Sequence, residues 1–154
     1  MRTRTKAALS LLVLAALVGA GVVAFVLTVS DDEPEATPMP EPTISIDGRI
    51  ANDHGEVAVA PDDFEVPFEM GDFYFEPTVL EGAEGQTILL EVVNVGGERH
   101  NLTSPGDGVD VDLGPGESQP IGVTFGPAGT TSVIFCRFFQ DEGMVAALKA
   151  TEAN

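Results

Sequence analysis

The sequence predicts an all-β sandwich preceded by one N-terminal transmembrane helix, and three observations predict it. Residues 7–29 carry no charge. The rest of the chain is built of short stretches rich in β-branched and aromatic residues, set between Gly and Pro signals. No long segment outside the apolar run has helical period.

The first element is the run "AALSLLVLAALVGAGVVAFVLTV" at 7–29, whose only polar side chains are Ser10 and Thr28. As a helix it spans roughly 35 Å, enough for a bilayer core of about 30 Å with some tilt. A cleaved signal peptide is the rival, with small residues at Val18 to Ala20. The apolar run continues past that point, longer than the usual h-region of about 7–15 residues, so an uncleaved anchor is expected. Arg2, Arg4 and Lys6 precede the run, and the positive-inside bias then puts residues 1–6 in the cytoplasm. The expected location is the cell membrane, single-pass, with the C-terminal domain extracytoplasmic.

Residues 30–43, "SDDEPEATPMPEPT", hold four prolines and five acids and offer almost nothing to bury. Spaced prolines favour an extended chain and the carboxylates repel one another, so this is a semi-rigid acidic linker. Residues 44–154 remain, a normal size for one β-sandwich with a single core.

Within that domain the strand candidates are Thr43 to Ile46, Glu56 to Ala60, Asp72 to Pro77, Thr87 to Val95, Pro120 to Phe125, Thr131 to Cys136 and Met144 to Ala150. The last, "MVAALKA", is ambiguous because Ala is a poor strand former, although it is too short for a convincing isolated helix. Alternation puts Phe73, Phe75, Ile88, Leu90, Val92, Val123, Phe125, Val133, Phe135 and Val145 in one hydrophobic layer between two sheets.

Charge excludes some partners. The chain has 7 Lys plus Arg against 25 Asp plus Glu, and three of the basic residues precede the first acid, Asp31. The part of the chain beyond residue 30 therefore has 4 basic against 25 acidic residues, or −21. Such a surface repels nucleic acid and anionic lipid and steers basic partners toward itself. A high-salt habitat would give the same composition. An enzyme is not expected: His54 and His100 are the two histidines, no Gly-rich loop opens a helix, and no serine lies in a G-x-S-x-G context.

One constellation stands out against that background: His100 in "GERHNLT", with Cys136 and Met144 at the ends of "CRFFQDEGM". Imidazole, thiolate and thioether are the donors a copper ion cycling between Cu(I) and Cu(II) uses. Each residue also has a plainer reading. A lone Cys at a strand end is often a small buried apolar residue, or it pairs between molecules outside the cytoplasm. Met144 before "VAAL" suits a core, and His100 suits a surface loop. The "NLT" string from Asn101 is a weak glycosylation match, and "FCRFF" is either packing or a hydrophobic docking surface.

From about Asp72 to Leu148 the sequence resembles the cupredoxins, the plastocyanin and azurin superfamily of small blue-copper proteins. The resemblance is carried by "DFYFEP", "NVGGERHN" and "CRFFQDEGM". It implies a Greek-key β-sandwich, copper as cofactor, His100, Cys136 and Met144 as metal ligands, and Asn101 supporting the thiolate. The "NDHG" stretch at Asn52 to Gly55 is similar to an upstream segment of some anchored bacterial members. The family loop reads C-x-x-H-x-x-x-x-M, and here Phe139 stands in the histidine position. Gln140, Asp141, Glu142 and His54 are the available replacement donors. The implied function is a membrane-anchored extracytoplasmic copper-binding protein in electron transfer or copper handling, with a redox or copper-exchange partner that has a basic face. The alternative is a metal-free cupredoxin-like binding or assembly domain. A working site keeps the three donors converged, whereas a remnant buries Cys136 under Phe138 or Phe139 and turns His100 to solvent.

Overall fold

In the eight-residue strand "TILLEVVN", Ile88, Leu90, Val92 and Asn94 are buried, while Thr87 and Glu91 face solvent. This period of two marks a strand with one face on a core. A computed structural model describes residues 41–153. The expected cytoplasmic N-terminus, the expected transmembrane helix at 7–29 and most of the linker at 30–43 lie outside the described residues. Among the described residues no helix is long and apolar enough to cross a membrane.

The described chain is an all-β sandwich. One sheet has four strands in the order β10 (Ser118–Thr124), β7 (Thr87–Asn94), β4 (Glu65–Gly71) and β5 (Tyr74–Glu76). The other has six, in the order β3 (Glu56–Ala58), β6 (Val79–Ala83), β12 (Val145–Thr151), β11 (Thr131–Phe135), β8 (His100–Ser104) and β9 (Val109–Leu113). Phe68, Met70, Phe75, Leu90 and Phe125 meet Leu80, Leu102, Ile134 and Leu148 in the main core. Each such side chain stabilises the fold by about 1.5–3 kcal/mol relative to exposure. Pro67 is tolerated inside β4 because β5 pairs only with Glu69 to Gly71, so no ladder bond is lost on that side.

A hairpin of β1 (Thr43–Ile46) and β2 (Arg49–Asn52) lies outside these two sheets. Its turn residues Asp47 and Gly48 have φ of 47° and 77°, the left-handed geometry of a tight two-residue hairpin. Ile46 and Ala51 pack on Val79, Val145 and Ala147, with Ile44, Val133 and Phe135 beside them, and form a second small core. The single layer expected from the sequence is therefore corrected to two. Val133, Phe135 and Val145 belong to the second layer, while Ile134, Cys136 and Ala146 point into the main one. Phe73 is half-buried against the main core rather than inside it.

The same hairpin accounts for the ambiguous "VAALKA" segment. The strand β12 is covered on both faces, by the main core and by the hairpin, so it reads as a continuous apolar run instead of an alternating one. Small Ala side chains let the hairpin approach the sheet closely.

Candidate metal centre

The antiparallel pairing of β8, β11 and β12 delivers the three candidate donors to one end of one sheet. His100 opens β8, Cys136 comes directly after β11, and Met144 precedes β12. The Cys136 N–H donates to the Met144 carbonyl at 3.0 Å, which closes the loop between them. The Asn101 N–H donates to Cys136 Sγ at 3.3 Å, which brings the start of β8 against the thiol. All three side chains are fully buried.

The loop itself is a tight structure. Phe139 N–H donates to the Cys136 carbonyl at 3.1 Å, and the Phe139 carbonyl accepts from both Glu142 and Met144 at 3.1 Å. Gly143 turns the chain with φ of 94°, and a Cβ there would meet the Asn52 side chain at 2.8 Å. Asn52 fastens this loop from the hairpin side: its backbone N–H reaches the Gly143 carbonyl, and its amide donates to the Glu142 and Phe73 carbonyls at 2.9 Å.

Asn101 is the second fastening. Its amide donates to Asp110 Oδ1, the Val111 carbonyl and Asp112 Oδ1, and its oxygen accepts from the Thr103 hydroxyl and the Arg137 N–H. Arg137 in turn forms ion pairs with Asp110 and Asp112. The Asn101 amide, with Arg137 and Arg99 nearby, holds the Asp112 carboxyl below its ordinary value. These bonds link β8, β9 and the loop that follows Cys136, behind the thiol.

The His100 ring is held from its outer edge. Nε2 lies 2.8 Å from Asp72 Oδ1. The Gly97 N–H on the Asp72 carboxylate, with smaller contributions from His100 and the Glu98 N–H, lowers its pKa from the ordinary 3.8 despite some opposing desolvation. The inner nitrogen, Nδ1, is buried and has no hydrogen-bond partner. Of the two features expected of a remnant, His100 is not turned to solvent, whereas Cys136 is buried.

Phe139 packs its ring 4.6 Å from Phe73 and 5.3 Å edge-on from His100, centroid to centroid. The replacement donors that the sequence offers are engaged elsewhere or exposed. Gln140 accepts from Arg49 at 2.6 Å, and Asp141 and Glu142 are exposed. His54 stacks on Tyr74 at 3.6 Å, with Glu41 and Glu76 beside its two nitrogens. Burial, then the Glu76 charge, pushes the Tyr74 hydroxyl up from its ordinary pKa. Among the described residues no group of three or more His, Cys, Asp and Glu is placed to hold a metal. The His100 set has only two members of those types, its third donor being a thioether. Asp72 is not legible as a site residue in the sequence, because nothing in "MGDFYF" signals that its carboxylate meets a histidine 28 positions away.

No family model and no curated protein matches the chain. Solved structures match it in fold. The metal-binding domain of the Cu(I)-exporting P-type ATPase CopA of Streptococcus pneumoniae, with Cu(I), is similar at TM-score 0.53 and 11% identity, over 64% of this chain and 98% of that one. The shared fold is that of the cupredoxins. The laccase-like multicopper oxidase CueO from Ochrobactrum sp. is similar at TM-score 0.50 and 14% identity, over 66% of this chain, which spans only 30% of the oxidase. Auracyanin A, a blue copper protein of Chloroflexus aurantiacus, is similar at TM-score 0.44 and 15% identity, over 63% of this chain and 100% of that one. In this cupredoxin frame the end where His100, Cys136 and Met144 gather is the candidate centre.

Proposed function

We propose that this protein binds copper as Cu(I) through His100 Nδ1, Cys136 Sγ and Met144 Sδ, and that it receives and releases copper at the extracytoplasmic face of a membrane to which residues 7–29 anchor it. The observation that carries this reading is the bare Nδ1 of His100, a buried polar atom without a partner. Leaving such an atom unsatisfied costs about 1–3 kcal/mol. Native structures retain few of them, and a bound ion is one of the standard reasons. The other two donors are soft sulfurs, which select Cu(I).

The residues fit that ion better than they fit a redox-cycling copper. Copper, when bound, supplies either a one-electron couple or a cargo ion. With Phe139 where a second imidazole is expected, nothing favours the oxidised ion, so copper handling suits this donor set better than electron transfer. Phe139, Phe73 and the buried Cys136 also keep the centre apolar. A binding role is the consequence, and not catalysis. The partner is a copper-exchange or redox protein with a basic face, complementary to the acidic surface.

One observation favours a second reading, a metal-free binding domain: the Phe139 ring already packs against His100 and Phe73. Competition for Cu(I) against a chromogenic chelator, under reducing conditions, separates the two. One equivalent bound by the full-length protein, and lost in Cys136→Ser, is the result expected of a copper protein. No binding by the wild type, with a blue Cu(II) site appearing in Phe139→His, would assign the domain to the metal-free class.

A further inference from the structure

Asp72 sits in a loop far from His100 in sequence, yet its carboxylate is built into the same corner. Oδ2 accepts from the Gly97 N–H at 2.9 Å, and Oδ1 accepts from the Glu98 N–H at 3.3 Å and faces His100 Nε2 at 2.8 Å. The "GGE" turn makes this possible at Gly96, where a Cβ would stand 2.3 Å from Asp72 Oδ1 and 2.8 Å from His100 Nε2. The carboxylate is thus cradled by two backbone N–H groups and the imidazole edge.

An ionised carboxylate only accepts hydrogen bonds, so the nitrogen facing it must carry a proton. In a neutral imidazole the other nitrogen is then a lone pair. That other nitrogen is Nδ1, the buried atom without a partner. We propose that Asp72 is a positioning residue: held by the Gly97 and Glu98 amides, it fixes His100 as the Nε2–H tautomer, with the Nδ1 lone pair presented inward as a metal donor. This deepens, and for its consequence on copper rests on, the reading of the centre as a Cu(I) site. A carboxylate hydrogen-bonded to the outer nitrogen of a metal-binding histidine orients the ring and raises its basicity as a ligand.

The tautomer is measurable without any metal. Long-range proton–nitrogen correlation spectra of the full-length apo-protein distinguish protonated from bare ring nitrogens, and a His54→Gln variant assigns the two histidines. The expected spectrum shows His100 protonated at Nε2 and bare at Nδ1, with the preference lost in Asp72→Leu. Cu(I) affinity should fall about 10–100-fold in Asp72→Leu at unchanged stoichiometry. A proton on Nδ1 in the wild type, or an Asp72→Leu protein with unchanged tautomer and affinity, overturns the assignment. A wild type that binds no Cu(I) but loses the Nε2–H tautomer in Asp72→Leu removes the copper reading and leaves the hold of Asp72 on His100 standing.

Discussion

At the scale of single residues, Phe139, Asp72 and Asp112 border the proposed centre. The Phe139 ring stands 5.3 Å from the His100 ring and contributes no donor, so Phe139→His adds an imidazole at the position where the cupredoxin resemblance expects one. Absorption spectroscopy with Cu(II) should then show an intense thiolate-to-copper band that the wild type lacks. Equal spectra for the two proteins would mean that the loop places position 139 away from the metal. The carboxylates set a pH limit. Asp72 and Asp112 are both held below the ordinary value of 3.8, through the Gly97 N–H and the Asn101 amide respectively. The folded state therefore prefers their ionised forms. The stability they contribute is present above about pH 4 and is lost as pH falls through their folded values. Acid unfolding monitored by circular dichroism should show this loss, and Asp112→Asn should flatten it. A curve for Asp112→Asn that superimposes on the wild type below pH 4 would contradict this.

At the scale of elements, the hairpin of β1 and β2 explains more than the sheets do. It covers β12 and fastens the loop between Cys136 and Met144 through Asn52. Ala147 is buried between hairpin and sheet, so Ala147→Leu overpacks that layer and should destabilise the domain by about 1–3 kcal/mol in a denaturant titration. A change below about 0.5 kcal/mol, the range of surface substitutions, would mean that the hairpin does not press on the sheet. The strands expected from period-two alternation are present, and "TILLEVVN" and "TSVIF" lie almost where the sequence puts them. What alternation misses is which face is which when both are covered. In β11 the inward residues are Ile134 and, just beyond, Cys136, while Val133 and Phe135 serve the hairpin layer. The strand β2 escapes the alternation test although "DG" at Asp47 and Gly48 is a strong short-range hairpin signal. The strands β4 and β9 do alternate, with Val66, Phe68 and Met70 on one face of the first and Val109, Val111 and Leu113 on one face of the second, but Pro67 and the two aspartates are poor strand formers and mask the pattern. In the site, the burial of His100, Cys136 and Met144 at one end comes from register that motif spacing already encodes. The Asp72 contact depends on a turn meeting a distant loop, and no local pattern reports that.

At the scale of the molecule, charge and fold point the same way. The chain carries a formal net charge of −18, and 25 acidic residues face only four basic ones after residue 30. Encounter with a basic partner should therefore slow steeply as ionic strength rises, because charges more than a Debye length apart, about 10 Å at 0.1 M salt, are largely screened. Stopped-flow transfer of Cu(I) to a basic acceptor protein at two salt concentrations reads this directly, and a rate independent of salt would argue against electrostatic steering. The fold supplies the rest: the ends of β8, β11 and β12 bring His100, Cys136 and Met144 to one end of the sheet, where all three are buried. The most direct measurement is X-ray absorption at the copper edge of the Cu(I)-loaded full-length protein. One nitrogen and two sulfur scatterers, with one sulfur lost in Met144→Leu, are what this account predicts. Copper surrounded by oxygen or nitrogen alone, or a spectrum unchanged in both Met144→Leu and Cys136→Ser, would show that the ion sits elsewhere and that His100, Cys136 and Met144 do not form the centre.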